Sequence, residues 1–300
     1  MYEHDHHSHD SSTEQALTRA LLFTLGFAVV EGVVGYWAGS LALLSDAGHM
    51  FTDASSLALA ALAAHIARQP ASRRHSWGMG RAEVLAALIN ALLMLAIVAG
   101  VVYGAILRLQ QPVPVNGGAV FVVAALGLAL NLLVLRTLTH SHQTLNTRGA
   151  ILHVLGDALG SVAALGSGVV IMLTGWTPID PILSLVICGL ILTSALRLLR
   201  EGLHVVMEGV PRHLSLEEIG KTMAQVPGVT AVHDLHVWQV NSDRIALSAH
   251  VVLRRMEDWL AVLAELNRRL KQDYGIDHAT LQPEPLPTVP LPMPGAAHRS

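Results

Sequence analysis

Six apolar stretches dominate the sequence, and each approaches the length at which a helix crosses a lipid bilayer. A helix needs about 20 mostly apolar residues to span the hydrocarbon core. The stretches are Ala20–Ala38, Leu41–Ala67, Val84–Leu107, Gly117–Leu135, Gly149–Trp176 and Pro178–Leu199. Only Gly39 and Ser40 separate the first two, and a short turn around Thr177 separates the last two. Both pairs therefore predict tight helical hairpins.

The distribution of charge divides the chain into a membrane part and a tail. Residues 20 to 208 include only 17 Asp, Glu, Lys and Arg in 189 positions, whereas residues 209 to 300 include 19 in 92. The sequence thus predicts a transmembrane domain of six helices at 16–208, after a histidine-rich cytoplasmic segment at 1–15, and a small domain at 209–284. Six prolines between Pro283 and Ser300 predict disorder, with a proline-rich tail at 285–300.

Arginines in the loops predict the orientation. Arginine and lysine are retained on the cytoplasmic side of a membrane protein, and six spans leave both termini on one side. One side of the predicted bundle has only Arg108. The other side has Arg68, Arg73, Arg74, Arg81, Arg136, Arg148, Arg197 and Arg200. We therefore expect a multi-pass protein of a bacterial inner (plasma) membrane, in contact with lipid, with cytoplasmic N- and C-termini.

Net charge and cysteine content exclude several classes of partner and site. The net charge is −3 with neutral histidine, and no basic surface is evident, so nucleic acid is not an expected partner. The single cysteine, Cys188, excludes an intrachain disulfide and a thiolate cluster. A bound metal would therefore be held by nitrogen and oxygen, and the chain has 17 histidines.

The tail has the signals of a small α+β domain. Ser215 is suited to cap a helix that runs through Gln225. Two β-rich runs, Thr230–Val240 and Ile245–Leu253, are joined by turn-forming residues and predict a hairpin. Helical spacing over Met256–Tyr274 precedes a last short strand near Ala279–Gln282. The predicted order is α-β-β-α-β.

The motif H-x-x-x-D occurs twice within apolar spans, as His49 with Asp53 and as His153 with Asp157. A spacing of four places both side chains on one face of a helix. Two such faces together offer two imidazoles and two carboxylates, a complete tetrahedral set for zinc. Ionisable groups at membrane depth are costly and usually functional. The alternative is histidine–aspartate hydrogen bonding that joins the helices without metal.

The charge of this His2Asp2 site predicts a mechanism. Two aspartates give the empty site two negative charges, which a divalent cation cancels and which protons must neutralise on the return step. We therefore expect metal–proton antiport, with metal leaving the cytoplasm. Four ligands leave no open position and the chain has no H-E-x-x-H, so an enzyme is not expected. An intramembrane metalloenzyme and a metal sensor without transport activity are the alternatives.

Four runs of the sequence resemble the cation diffusion facilitator family of zinc exporters, bacterial members in particular: SLALLSDAGHMFTD, RHSWGMGRAEVLAAL, TRGAILHVLGDALGS and HDLHVW. The resemblance extends from about Ala16 to Glu284. It implies a homodimer with a metallochaperone-like cytoplasmic tail that exports zinc in exchange for protons. No cofactor is implied, since zinc is the substrate. The implied transport ligands are His49, Asp53, His153 and Asp157. Histidine at position 49 resembles the zinc-preferring variant, with cobalt, cadmium and nickel as alternatives.

The resemblance also implies a regulatory metal site in the tail, because the family often binds metal there. The candidate ligands are His233, His236, His250 and His278. The alternative is that they are ordinary surface histidines. His233 and His236 are three apart on a predicted strand, so both can serve one site only if the strand has a bulge or a bend.

Some polar residues have two open interpretations. Glu31, the only charge in the first span, either assists proton or metal passage or forms an interhelical hydrogen bond to Asn90 or Asn131. Asp46, one turn before His49, either supports that ligand or braces a helix end. The N-terminal tract either gathers zinc weakly or is a solvated tail. Its histidines are His4, His6, His7 and His9.

Overall fold

A computed structural model describes residues 25–139, 145–241 and 244–286, without the side chains of residues 137–139, 145–150, 152 and 153. The apolar part forms helices α1 (Leu25–Ala38), α2 (Leu41–Ala67), α3 (Ala82–Gln110), α4 (Gly117–Thr139), α5 (Leu145–Thr174) and α6 (Ile179–Val206). Helices α2 to α6 are long and apolar enough to cross a bilayer. The start of the first predicted span, residues 20–24, lies outside the described residues, as do the N-terminal histidines. The prediction of a helical membrane domain is confirmed.

Small side chains fill the interior of this helical domain. Among the side chains that the structure describes in this domain, six alanines are fully buried, namely Ala42, Ala91, Ala105, Ala124, Ala164 and Ala195. Large apolar side chains such as Leu92, Leu133 and Leu173 are exposed. This distribution is typical of membrane helices, in which small residues allow close contact between backbones and large ones face lipid.

The turn between α1 and α2 is fixed by contacts from three other segments. Gly39 has a φ of +71°, and a Cβ atom there would lie 2.8 Å from the carbonyl oxygen of Pro114, so only glycine fits. The buried carboxylate of Asp180, at the start of α6, accepts hydrogen bonds from the Ser40 hydroxyl and the Leu41 amide. Arg108, near the end of α3, donates to the Gly39 carbonyl. These contacts set where α2 begins.

The tail has the predicted α-β-β-α-β order. Its elements are α7 (Leu216–Ala224), β1 (Val229–Asn241), β2 (Arg244–Leu253), a single 3-10 turn (Met256–Asp258), α8 (Trp259–Tyr274) and β3 (His278–Pro285). The hydroxyl of Ser215 accepts from the Glu218 amide and caps α7, as predicted. The sheet order is β1-β2-β3, with β1 antiparallel and β3 parallel to β2. The core lies between the sheet and the two helices and includes Ile219, Met223, Leu247, Leu253, Leu266 and Leu270.

The prediction of disorder from Pro283 onward is wrong for its first three residues. Strand β3 continues to Pro285, with Pro283 opposite Val251 and Pro285 opposite Leu253. Proline is tolerated because β3 is paired on one side only, and alternate residues of an edge strand do not donate to the neighbouring strand. Residues 287–300 lie outside the described residues.

Part of the loop between α2 and α3 forms a compact unit with the tail. The Trp77 and His278 rings meet edge to face, with 4.7 Å between their centroids. Arg81 forms a 3.0 Å ion pair with Glu208, just after α6. The loop that follows α2 therefore contacts the first residue of strand β3.

Candidate metal sites

A cluster of ionisable side chains joins α2 to α5. The Nε2 atom of His49 lies 3.6 Å from Oδ2 of Asp53 and 3.6 Å from Oδ1 of Asp157. Each of the three residues offers one ligand atom, and these atoms all lie within 4.8 Å of one another. His49 and Asp53 share a face of α2 because they are four residues apart. Helix packing brings Asp157 to the same place.

The three side chains are partly buried, and His49 and Asp53 line a cavity of about 220 Å³. Helices α2, α3, α5 and α6 all line it, with Met94 from α3 and Ser194 from α6. The side chains of His49, Asp53 and Asp157 are 17%, 25% and 16% exposed. A cation in this cavity could therefore be bound by protein oxygen and nitrogen atoms that are still partly exposed.

His153 lies in α5, one helical turn before Asp157. Its side chain is outside the described residues, so its place as the fourth ligand stays a prediction. The uninterrupted helix from Leu145 to Thr174 keeps the spacing that puts the two residues on one face.

Glu31 and Asp46 form a second buried acidic group close to this cluster. Glu31 is fully buried in α1, and its carboxyl contacts that of Asp46 in α2. Neither asparagine named as an alternative partner bonds to Glu31. Asn90 donates to the sulfur of Met94, and Asn131 donates to the hydroxyl of Ser161. The interhelical hydrogen bond to either asparagine is therefore not present among the described residues.

A third cluster lies in the tail, on all three strands. Glu284 of β3 accepts from Nε2 of His233 at 2.9 Å and from Nδ1 of His250 at 2.7 Å, if each ring nitrogen is protonated. The hydrogen bond from His233, with that from His250, holds the pKa of Glu284 below its ordinary value. Ligand atoms of these three residues lie within 4.8 Å of one another. Two imidazoles and a carboxylate suit zinc.

A bulge in β1 decides where the other tail histidines lie. The pairing register shifts between His233 and His236, and Asp234 within this segment has a φ of +50°. Asp234 lies 2.9 Å from Nε2 of His236 and 3.7 Å from Nε2 of His250. The hydrogen bond with His236 lowers the pKa of Asp234. His236 therefore joins the cluster through Asp234, whereas His278 contacts Trp77 instead.

Sequence reasoning missed Glu284 and Asp234 because it considered only histidines as tail ligands. Strand pairing brings His250 opposite both His233 and the segment around Gln282. Glu284 lies only two residues beyond Gln282 and could have been considered as a ligand. It was not, because the sequence predicted disorder from Pro283 onward.

Two family descriptions match the chain. Residues 17–207 match the Cation efflux transmembrane domain, and residues 211–286 match the cytoplasmic domain of cation efflux proteins. The chain belongs to the cation efflux family. The predicted resemblance is thereby confirmed, and the chain is a multi-pass membrane protein of a transporter family.

Curated relatives cover nearly the whole chain. The zinc transporter ZitB of Escherichia coli is 42% identical over 93% of this chain and 91% of its own length. The metal cation efflux system protein CzcD of Cupriavidus metallidurans is 39% identical over 94% and 90%. The cadmium, cobalt and zinc/H(+)-K(+) antiporter of Bacillus velezensis is 34% identical over 94% and 91%.

A solved structure, the metal-bound C-terminal domain of the CzcD transporter from Cupriavidus metallidurans, is 36% identical over 24% of this chain and 99% of its own, with a TM-score of 0.23.

Proposed function

We propose that this protein is a secondary transporter that exports Zn²⁺ from the cytoplasm in exchange for protons. The observation that carries the proposal is the convergence of His49, Asp53 and Asp157 among the membrane helices, next to a cavity that His49 and Asp53 line. Nitrogen and oxygen ligands at this separation suit zinc, and His153 would complete a tetrahedral set. The names of the ZitB relatives and of the Bacillus antiporter agree with this proposal.

The charge of the site supports proton exchange. Asp53 and Asp157 give the empty site two negative charges when His49 is neutral, and Zn²⁺ cancels them. The loaded site is then neutral and tolerates a low dielectric. The empty site must return with protons in place of the metal, because zinc ligands bind metal only in their deprotonated forms. Protons entering the cell would therefore drive zinc out.

The proposal extends to the membrane, the oligomeric state and the range of metals. We infer a bacterial inner membrane with both termini in the cytoplasm, because six spans would put the arginine-rich loops on the same side as both termini and arginine is retained in the cytoplasm. We also infer a homodimer, as the family resemblance implies. Cobalt and cadmium are further cargo candidates, because the ligand types separate these metals poorly from zinc.

The tail cluster is proposed as a regulatory zinc site made by His233, His250 and Glu284. Its ligand atoms are nearer the surface than those of the membrane cluster, with side-chain exposures of 51%, 31% and 31%. An exposed site of this kind can sample cytoplasmic zinc. Asp234, which lies between His236 and His250, would orient the imidazole of His250.

Flux into proteoliposomes under an imposed pH gradient tests the transport function. Zinc, cobalt and cadmium uptake would be compared between the wild type, a His49→Ala, Asp157→Ala double variant, and His65→Ala. His65 is an exposed histidine near the end of the same helix and serves as the matched control. We expect zinc flux that depends on the gradient, disappears in the double variant and persists in the control.

Each departure from this result has a separate meaning. Normal zinc flux in the double variant would refute the site, and flux that ignores the pH gradient would refute proton exchange. Absence of flux for all three metals in folded, correctly oriented protein would favour a sensor or an intramembrane enzyme.

A further inference from the structure

Glu31 has an environment that a membrane helix rarely gives to a carboxyl group. The residue is fully buried, and among the described residues no donor bonds to either of its carboxyl oxygens. The polar group that its carboxyl contacts is another carboxyl, that of Asp46. A bare carboxylate buried without a donor is very costly, so this geometry requires a proton on the pair.

The partners of Asp46 indicate which carboxyl holds that proton. Ser161 accepts a 3.2 Å hydrogen bond from the Asn131 amide, which leaves its own hydroxyl proton for Asp46. Asp46 is thus an acceptor for Ser161, and it is also the acceptor available to Glu31. With Glu31 protonated, its O–H donates to Asp46, and the pair carries one negative charge instead of two.

The pair is also connected to the metal cluster. Asp46 is 3% exposed and lines the same cavity as His49 and Asp53. The carboxylates of Asp53 and Asp157 act on the pair through their charge. Glu31 lies behind Asp46 and does not line the cavity. A proton leaving Glu31 would therefore pass by way of Asp46.

We propose that Glu31 carries one of the exchanged protons, separately from the metal ligands, and that Asp46 passes this proton to and from the cavity. The proposal rests on the proposed zinc–proton exchange. When Zn²⁺ occupies the cavity, its two positive charges repel the proton on Glu31 and favour its release. The Glu31 O–H bond breaks, Asp46 takes the proton, and the cavity receives it. When zinc leaves, the negative charge of Asp53 and Asp157 draws the proton back.

Counting protons released as zinc binds tests the proposal. The full-length protein in detergent would be titrated with zinc in weakly buffered solution containing a pH-sensitive dye. All variants would also have His233→Ala and His250→Ala, so that the tail cluster does not contribute. Glu31→Gln would be compared with Glu201→Gln, which removes a glutamate that is half exposed and far along the sequence from the pair.

We expect Glu31→Gln to bind as much zinc as its parent and to release up to about one proton fewer per zinc bound. The slope of log Kd for zinc against pH should decrease in magnitude by the same number of protons. Glu201→Gln should leave both unchanged. Asp46→Asn should reduce the proton count in the same direction, since it removes the relay.

An unchanged proton count in a Glu31→Gln protein that binds zinc normally would overturn the proposal while leaving zinc–proton exchange intact. If Glu31→Gln does not fold, Asp46→Asn decides, and an unchanged count there overturns it. If the parent protein itself releases no protons when zinc binds, the proposed antiport fails, and this inference fails with it.

Discussion

The carboxylate of Asp180, in the first turn of α6, accepts a 2.6 Å hydrogen bond from the hydroxyl of Ser40, the residue immediately before α2. Its other oxygen accepts a 2.6 Å bond from the Leu41 amide. The first backbone donors of a helix have no partner within the helix, and here a different helix supplies one. Asp180 therefore fixes the start of the helix that carries His49 and Asp53.

Asp180→Asn should destabilise the membrane domain by about 2–4 kcal/mol, because an amide has one acceptor oxygen for the three donors, Ser40, Leu41 and Ala42, that the carboxylate now serves. Thermal unfolding in detergent would measure the loss, with Glu201→Gln as an exposed carboxyl-to-amide control. An unchanged unfolding temperature for Asp180→Asn would contradict this role.

Gly168→Ala should separate α4 from α5. A Cβ atom at Gly168 would lie 2.8 Å from the Phe121 amide and 3.0 Å from the Gly117 carbonyl oxygen. We expect a loss of about 1–3 kcal/mol, since backbone cannot move aside as a side chain can. Gly166→Ala, on the same helix, meets nothing within 4 Å. It should be neutral or stabilising by up to about 1 kcal/mol. Equal effects in thermal unfolding would refute the close contact.

Glu284→Gln should weaken zinc binding in the tail by about tenfold or more, because it removes the negative charge between two imidazoles. Zinc titration would use full-length protein in which His49→Ala and Asp157→Ala silence the membrane site. His278→Ala is the matched control, since that ring contacts Trp77 outside the cluster. A greater loss in His278→Ala than in Glu284→Gln would restore the ligand set predicted from sequence.

Glu265 should make α8 sensitive to acid. Hydrogen bonds from Arg268 and Arg269 lower its pKa from 4.5 to about 2. Because the folded pKa is the lower one, the stabilisation is full above pH 4.5 and is lost as the pH falls toward 2. Protection of α8 amides against hydrogen exchange should fall between pH 4.5 and pH 2, less so in Glu265→Gln. An identical fall in both proteins would show that Glu265 contributes nothing.

The two units differ in what could be predicted. The candidate ligands His49, Asp53 and Asp157 could be proposed from sequence because a spacing of four along a helix gives a shared face, and the structure brings these three together. The tail cluster was only partly predicted, because Glu284 meets His233 and His250 through strand pairing, which has no fixed spacing along the chain. The bulge at Asp234 likewise follows from pairing in the folded sheet.

Local sequence is sufficient to predict the apolar helices, the tail order and the paired H-x-x-x-D motifs, since each depends on hydrophobicity and on periodicity over a few residues. Three contacts could be seen only in the folded chain: Glu31 meets Asp46, Asp180 caps α2 from a position 140 residues away in the chain, and Glu284 completes the tail cluster. These contacts depend on how helices and strands pack, and packing brings together residues that no local pattern relates.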